Sequence, residues 1–375
     1  MISLNTNTSA MITQRYFSDA ASETSDTQRK LNSGYRINSA SDDAAGMQIS
    51  NTLSTQTRGI DVSLSNAANA YSVAQTAESA LQESSEMLQR LRSLSLQSSN
   101  GSNSQDDRDG IQHEASALKD ELNRIAQTTT FAGKNLFNGS FGSQSFNISP
   151  NADSISLHLK NMSTNLPETG GHYYIANESV DETWQVPKSN LSLNVKYDDV
   201  SGEKQNQQIR LKAGDSINEV ATYINSQQDI VNASVTEDRK LQLFMGALSA
   251  PKGFDVSGSL NEQLDFEGGD LLTLDDLDLS SLGQSQLGVS LVDTAMKYVD
   301  SYRSEIGSFQ NRVEVTIDNL HSINQNMTAS KSRIKDADFA RESVNQFKSQ
   351  ALQQATSTLL VQAKQIPSAA LGLLS

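Results

Sequence analysis

Cysteine is absent from this chain of 375 residues. Disulfides, thiol nucleophiles and Cys-ligated zinc are thereby excluded, and movement between redox compartments is without consequence. Aromatic residues make up only 6% and hydrophobic residues 36%, below the usual composition of soluble domains. Ser, Thr, Asn and Gln fill much of the rest. A chain this polar cannot bury a large core along its whole length, so part of it must meet apolar partners in other copies or stay unfolded. Positive charge is also short. The net charge of −15 removes the electrostatic term on which binding to nucleic acid and anionic membranes depends. It keeps separate subunits soluble and opposes self-association, so a polymer needs apolar seams and responds to salt. No run is long enough to cross a bilayer, and Met1-Ile2-Ser3-Leu4-Asn5 lacks the basic and apolar regions of a secretory signal. Taken alone, these features predict a cytoplasmic protein with no membrane insertion and no nucleic-acid partner.

Proline is scarce, and its placement is informative: Pro150, Pro167, Pro187 and Pro251 lie in the middle and Pro367 near the C-terminal end. Neither Gly nor Pro falls between Gly59 and Gly101 or between Gly307 and Pro367, so both stretches permit long helices. Ile60, Leu64, Ala67, Tyr71, Ala74, Leu81 and Leu88 follow steps of three and four, with Glu78 and Ser85 in the polar gaps. Val313, Ile317, Leu320, Met327 and Ile334 do likewise, with Asn324 and Lys331 in the seam. Stripes this narrow suit a coiled-coil seam better than a helix on a globular core, although a stand-alone helical bundle gives a similar pattern. From Ser308 to Ile366 a continuous helix would run roughly 90 Å, far beyond the usual length, which predicts a rod or a kinked pair.

The middle follows another period. Phe146 and Ile148 alternate, as do Ile155, Leu157 and Leu159, across the turn Pro150-Asn151-Ala152-Asp153. Leu191, Leu193, Val195 and Tyr197 alternate before Asp198-Asp199-Val200-Ser201-Gly202. Ser216-Ile217-Asn218-Glu219 is a capping box opening a helix with Ile217, Val220, Ala221 and Ile224 on one face. Short strands are expected at Ala233–Val235 and Leu241–Phe244. The span from Tyr173 to about Leu282 thus reads as a small α+β insertion, and its acidic, Gly- and Leu-rich part from Asp255 to Asp278 as solvated surface.

No catalytic constellation emerges. His113-Glu114 begins like a zinc-protease motif, but Ala117 stands where the second His belongs. His113, His158, His172 and His321 lack ligand spacing. Gly133-Lys134 is followed by Asn135 and not preceded by a phosphate-loop Gly. Asp275-Asp276-Leu277-Asp278 lacks the alternation and Gly of a calcium loop, and there is no Gly-x-Ser-x-Gly elbow. No enzyme activity, cofactor or metal is expected.

The two chain ends resemble bacterial flagellins. Lys30-Leu31-Asn32-Ser33-Gly34-Tyr35-Arg36-Ile37-Asn38-Ser39-Ala40-Ser41-Asp42-Asp43-Ala44-Ala45-Gly46 is similar to the long signature joining that family's first two helices. It continues in family order through Gln75-Thr76-Ala77-Glu78, Leu88-Gln89-Arg90-Leu91-Arg92 and Phe131-Ala132-Gly133-Lys134-Asn135-Leu136. Toward the other end come Gln310-Asn311-Arg312-Val313, Ser332-Arg333-Ile334-Lys335-Asp336-Ala337-Asp338, Gln353-Gln354-Ala355 and Ala369-Ala370-Leu371-Gly372-Leu373-Leu374-Ser375. The likeness covers about residues 1–145 and 285–375. Gly214–Phe244 resembles a small βαββ repeat found in the variable region of many flagellins and hook proteins.

This resemblance implies a mainly α fold: long paired N- and C-terminal helices forming a coiled coil and rod with a β-hairpin, plus a small α+β outer domain. The implied domains are an inner coiled coil (1–42 and 335–375), a helical rod with the hairpin (43–172 and 283–334) and a variable outer domain (173–282). The implied function is a structural subunit polymerising into the extracellular flagellar filament for motility. Export is expected through the flagellum's own channel, without a cleaved signal peptide. Ile12, Tyr16, Phe17, Leu31, Val344, Phe347, Leu352 and Leu359 are sparse apolar residues of the ends, which one helix pair cannot shield. They are expected to form the polymerisation interface, ordering on neighbouring subunits. Implied partners are other copies of the chain, an export chaperone on the C-terminal helix, the filament cap and hook-associated proteins. A vertebrate Toll-like receptor binds many flagellins at positions matching Arg90, Leu94 and Glu114, which otherwise serve subunit packing. Here Ser93 replaces a Glu common in recognised members. The alternative reading is a hook–filament junction protein, which shares the paired ends. A protease carried in the insertion and a generic coiled-coil adhesin are less favoured.

Overall fold

The computed structural model describes residues 6–187, 191–227 and 230–372. Met1-Ile2-Ser3-Leu4-Asn5 and the closing Leu373-Leu374-Ser375 lie outside the described residues. In chain order the elements begin with α1 (Thr8–Ser33), α2 (Ala44–Ser98) and α3 (Gln105–Thr128). Two short strands, β1 (Thr130–Phe131) and β2 (Lys134–Asn135), precede a hairpin of β3 (Gly142–Asn147) and β4 (Ser154–Leu159). Next come β5 (Gly171–Ala176), β6 (Ser192–Asp198), β7 (Lys204–Arg210) and α4 (Ile217–Gln227). They are followed by β8 (Val231–Val235), β9 (Leu241–Gly246), β10 (Phe254–Ser257), α5 (Ser259–Leu264) and β11 (Phe266–Leu272). The chain closes with α6 (Leu282–Lys335) and α7 (Phe339–Gly372). The protein is mainly helical, with a small α+β region between helical ends.

The chain divides into two compact units. One comprises Met1–Asn66, Ile148–Asp153 and Thr316–Ser375. Here α1 and α7 run antiparallel, with Cα atoms closer than 8 Å. Asn7 joins their far ends: its Oδ1 accepts from the Ala10 N–H at 2.9 Å, and its Nδ2 donates to the Ala363 carbonyl at 2.7 Å. At the near end α1 stops at Gly34, whose φ of 73° closes the helix without steric penalty. The Arg36 N–H then donates to the Lys335 carbonyl at 2.7 Å and the Ala337 N–H to the Gly34 carbonyl at 2.9 Å. The Lys335 ammonium sits 4.3 Å from the centre of the Tyr35 ring. Asp338 restarts the chain as α7 by accepting from the Ala340 and Arg341 N–H groups at 3.0 and 3.2 Å. The long C-terminal helical stretch is therefore two helices, broken at Asp336–Asp338. In the same unit the hairpin tip rests on α2, and a side chain at Gly59 would lie 3.1 Å from Pro150.

The second unit comprises Ala67–Asn147 and Ser154–Val315. Its parts of α2 and α6 are antiparallel and joined by two ion pairs of opposite polarity. Arg303 donates to Glu78 at 2.9 and 3.0 Å, and Arg92 pairs with Asp293 at 2.5 Å. Ala67, Ala74, Leu81 and Leu88 of the first stripe are buried there, as is Val313 of the second. The hairpin pairs antiparallel from Gly142 opposite Leu159 to Asn147 opposite Ser154. Alternation buries Ile155, Leu157 and Leu159, and the Phe146 ring lies 6.4 Å from that of Phe309.

Two antiparallel sheets, ordered β10-β6-β7 and β11-β5-β9-β8, make the α+β region. The Ser216 backbone N–H donates to Glu219 at 2.7 Å, completing the capping box, and Ile217, Val220, Ala221 and Ile224 are all buried. They share one core with Leu193, Val195, Ile209, Leu243 and Phe254. The Asp255–Asp278 segment is corrected by the structure. It supplies most of β10, all of α5 and β11, and buries Leu260, Leu264, Leu274 and Leu277, the first two, four residues apart on α5, in this core.

Candidate functional site

In the α1–α7 pair, hydrophobic side chains face the wrong way for a self-sufficient coiled coil. The least exposed positions of α1 fall at steps of three and four: Ala10, Thr13, Phe17, Ala20, Thr24, Thr27 and Leu31. Their counterparts on α7 are Glu342, Asn345, Ser349, Gln353, Thr356, Leu360 and Ala363. Most are small or polar. Ala20, Thr27, Ser349 and Ala363 are the fully buried ones. Small residues explain the close backbone approach, because helices meet at 8–10 Å according to the bulk between them. Glu342 Oε2 is buried without a hydrogen-bond partner.

The large apolar side chains point outward. Among residues singled out in the sequence, Ile12, Tyr16, Val344, Phe347, Leu352 and Leu359 are exposed, Phe347 to 73%. Phe17 and Leu31 are half-buried on the α1–α7 seam. The structure thus separates the eight into two from the seam and six from the outer faces. Met11, Phe339 and Val361 were missed by sequence reasoning and belong with the exposed set, Phe339 at 71%. Met11 adjoins Ile12, and Phe339 opens α7 directly after the Asp336–Asp338 break, a signal the sequence carried.

Among the described residues nothing covers these outward apolar groups. Burying each one fully is worth about 1.5–3 kcal/mol. Half a dozen therefore supply on the order of 10 kcal/mol, comparable with the roughly 4–15 kcal/mol that association costs in lost freedom. Faces of this kind suit apolar contact with a further protein surface.

Arg90, Leu94 and Glu114 are placed differently. Arg90 on α2 pairs with Glu114 on α3 at 2.6 Å, both half-exposed, and Ser93 beside them is exposed. Leu94 is 1% exposed and belongs to the core. The structure joins the two charged residues at the surface and keeps the leucine beneath it. Among the described residues no group of three His, Asp or Glu could hold a metal, and no helix is long and apolar enough to cross a membrane.

Comparison with known proteins places these features in a family. Residues 4–142 match the bacterial flagellin N-terminal helical region and residues 289–374 the bacterial flagellin C-terminal helical region. Residues 192–247 match the flagellin hook IN motif. That match starts at β6, so it takes in β6 and β7 ahead of the span singled out from the sequence. Polar flagellin E of Vibrio parahaemolyticus is 60% identical over 375 residues, covering 100% of both chains. Flagellin D of Vibrio cholerae is 48% identical over 374 residues, covering 100% of this chain and 99% of its own. The solved structure of FliC from Burkholderia pseudomallei is 23% identical, with a TM-score of 0.40 over 65% of this chain and 99% of that one. With matching helical regions at both ends and full-length relatives at this identity, the chain belongs to the bacterial flagellins, the structural subunits of the flagellar filament.

Proposed function

We propose that this subunit polymerises through the outward faces of α1 and α7, with Ile12, Tyr16, Val344, Phe347, Leu352 and Leu359 buried against neighbouring copies. Phe17 and Leu31 hold the pair together from within. The observation that carries this reading is the inverted seam, small and polar inside and apolar outside. We assign residues 1–42 and 335–375 to an inner layer, 43–172 and 283–334 to a surrounding helical layer and 173–282 to the outward domain. In the isolated subunit the α1–α7 pair has too little buried apolar surface to hold itself, so its order comes with assembly. Its function is structural, without catalysis.

Further roles rest on the resemblance. The subunit leaves the cell by the flagellar export route without a cleaved signal peptide. An export chaperone covers the apolar face of α7 beforehand, and cap and hook-associated proteins meet the same ends at the filament's limits. A vertebrate Toll-like receptor is a partner for the exposed Arg90–Glu114 pair, with Leu94 shaping the surface from below. The junction-protein alternative is less favoured, because full-length identity of 60% is to a flagellin.

The test is seeded polymerisation in precipitating salt, imaged by electron microscopy, with the full chain and with a chain ending at residue 335. Long filaments from the first alone are expected. Filaments from the shortened chain would refute assembly through these helices, and a full chain that stays monomeric under every seeding condition would favour the junction-protein reading.

A further inference from the structure

A cleft of about 480 Å³ opens in the α+β region, beside the ends of β6, β7 and β10. That size suits a small ligand. Three lysines, Lys196, Lys204 and Lys252, border it in a chain whose net charge is −15. Two carboxylates, Asp198 and Asp255, border it too, leaving one positive charge in excess. Lys252 lies 3.4 Å from Asp198. Among the described residues neither Lys196 nor Lys204 has an ion-pair partner within 4.0 Å.

The aromatic wall is held in place. His172 bonds through Nδ1 to the Gly269 carbonyl at 3.0 Å, and a carbonyl only accepts, so Nδ1 is the donor and the ring's orientation is fixed. The Tyr174 ring leans on Phe254 with centroids 4.8 Å apart. Gly253 and Gly269, at φ of 86° and 94°, make room for these rings. A Cβ at Gly253 would lie 3.1 Å from His172, and one at Gly269 would lie 2.8 Å from the Tyr174 hydroxyl. His172 and Tyr174 are both half-buried, with part of each ring reaching the cleft.

We propose that this cleft binds a carboxylated sugar residue of an acidic polysaccharide outside the cell. Lys196 and Lys204 take the sugar carboxylate, the rings of His172 and Tyr174 take its C–H face, and Asp198, Asp255 and the Asn206 amide take hydroxyls. A single excess positive charge matches a ligand with one carboxylate per residue, whereas Asp198 and Asp255 repel a dianion such as a phosphate monoester. The cleft lies within residues 173–282 apart from His172, and its access to external polymers rests on the outward placement of that segment proposed above.

The test is calorimetric titration of the full-length free subunit with a galacturonate trisaccharide and, separately, with a neutral galactose trisaccharide. Binding of the acidic sugar in the millimolar range is expected, weakening with added salt and at least about tenfold tighter than the neutral one. The Lys196→Gln/Lys204→Gln double variant changes only exposed side chains and is expected to lose about tenfold for the acidic sugar and little for the neutral one. His172→Ala is expected to weaken both sugars. Equal binding of the two sugars, an unchanged double variant, or no heat from either sugar would overturn the proposal. Because the free subunit is titrated, failure of polymerisation leaves the result standing. Cosedimentation of the sugar polymer with assembled filaments then tests outward placement separately.

Discussion

Gly171 begins β5 where two strands close around it. A Cβ there would stand 2.3 Å from the Met245 carbonyl oxygen and 2.6 Å from the Phe244 ring. Backbone cannot step aside as a flexible side chain can. Gly171→Ala is therefore expected to cost about 1–3 kcal/mol or more, read as an earlier urea midpoint for the α+β region. Asp42 acts by charge. Its carboxylate accepts from the Asn38 and Ser39 N–H groups at 2.9 and 2.8 Å and pairs with Arg29 at 3.3 Å. Those two backbone donors, more than the guanidinium, hold its pKa below the ordinary 3.8. A depressed carboxylate stabilises the folded state above its ordinary pKa and ceases to do so as pH falls through the lowered value. Thermal midpoints of the assembled filament should consequently keep this contribution from neutral pH down to 3.8 and lose it as pH falls further, through the lowered value. Asp42→Asn should show a smaller drop, and an identical drop would count against the role given to this carboxylate.

At the scale of elements, capping and close approach explain both what was legible and what was not. Ser104 opens α3: its hydroxyl accepts from the Asp107 N–H at 3.3 Å, and its own N–H donates to the Asp107 carboxylate at 3.0 Å. Ser104→Ala should cost about 1 kcal/mol, seen as a lower thermal midpoint with assembly retained. The Ser216 capping box and the 146–159 hairpin were readable for the same reason, since each is encoded within a few consecutive residues. The periodicity took the C-terminal helical stretch from Ser308, after Gly307, whereas α6 already starts at Leu282 and passes through three glycines. At Gly283 a Cβ would meet Thr236 Cα at 2.8 Å, and at Gly288 it would meet Leu277 at 2.8 Å. These two glycines admit a neighbouring segment and do not end the helix. β7 escaped notice because Lys204–Arg210 is almost wholly polar. It is an edge strand, bonded to β6 alone, and needs little burial to pair. Pro367 looked like a terminator, yet α7 runs to Gly372. The outer faces of α1 and α7 were visible as apolar residues, but only the structure showed that the seam between them is small and polar.

For the whole molecule, the proposed assembly sets two effects against each other: a net charge of −15 separates subunits, and the apolar faces we assign to the contact draw them together. Salt shortens the reach of the repulsion, to about 8 Å at physiological ionic strength, and leaves the apolar contribution intact. Polymerisation should become faster as monovalent salt rises, with Phe347→Ser slowing it at every salt concentration. A rate indifferent to salt would remove charge from the account. The most direct measurement of the central claim is amide hydrogen exchange across α1 and α7, compared between free subunit and filament. Fast exchange in the free subunit and strong protection in the filament are expected, including the segment around Phe347. Slow exchange in both helices of the free subunit, or no added protection on assembly, would contradict the claim that other copies cover these faces.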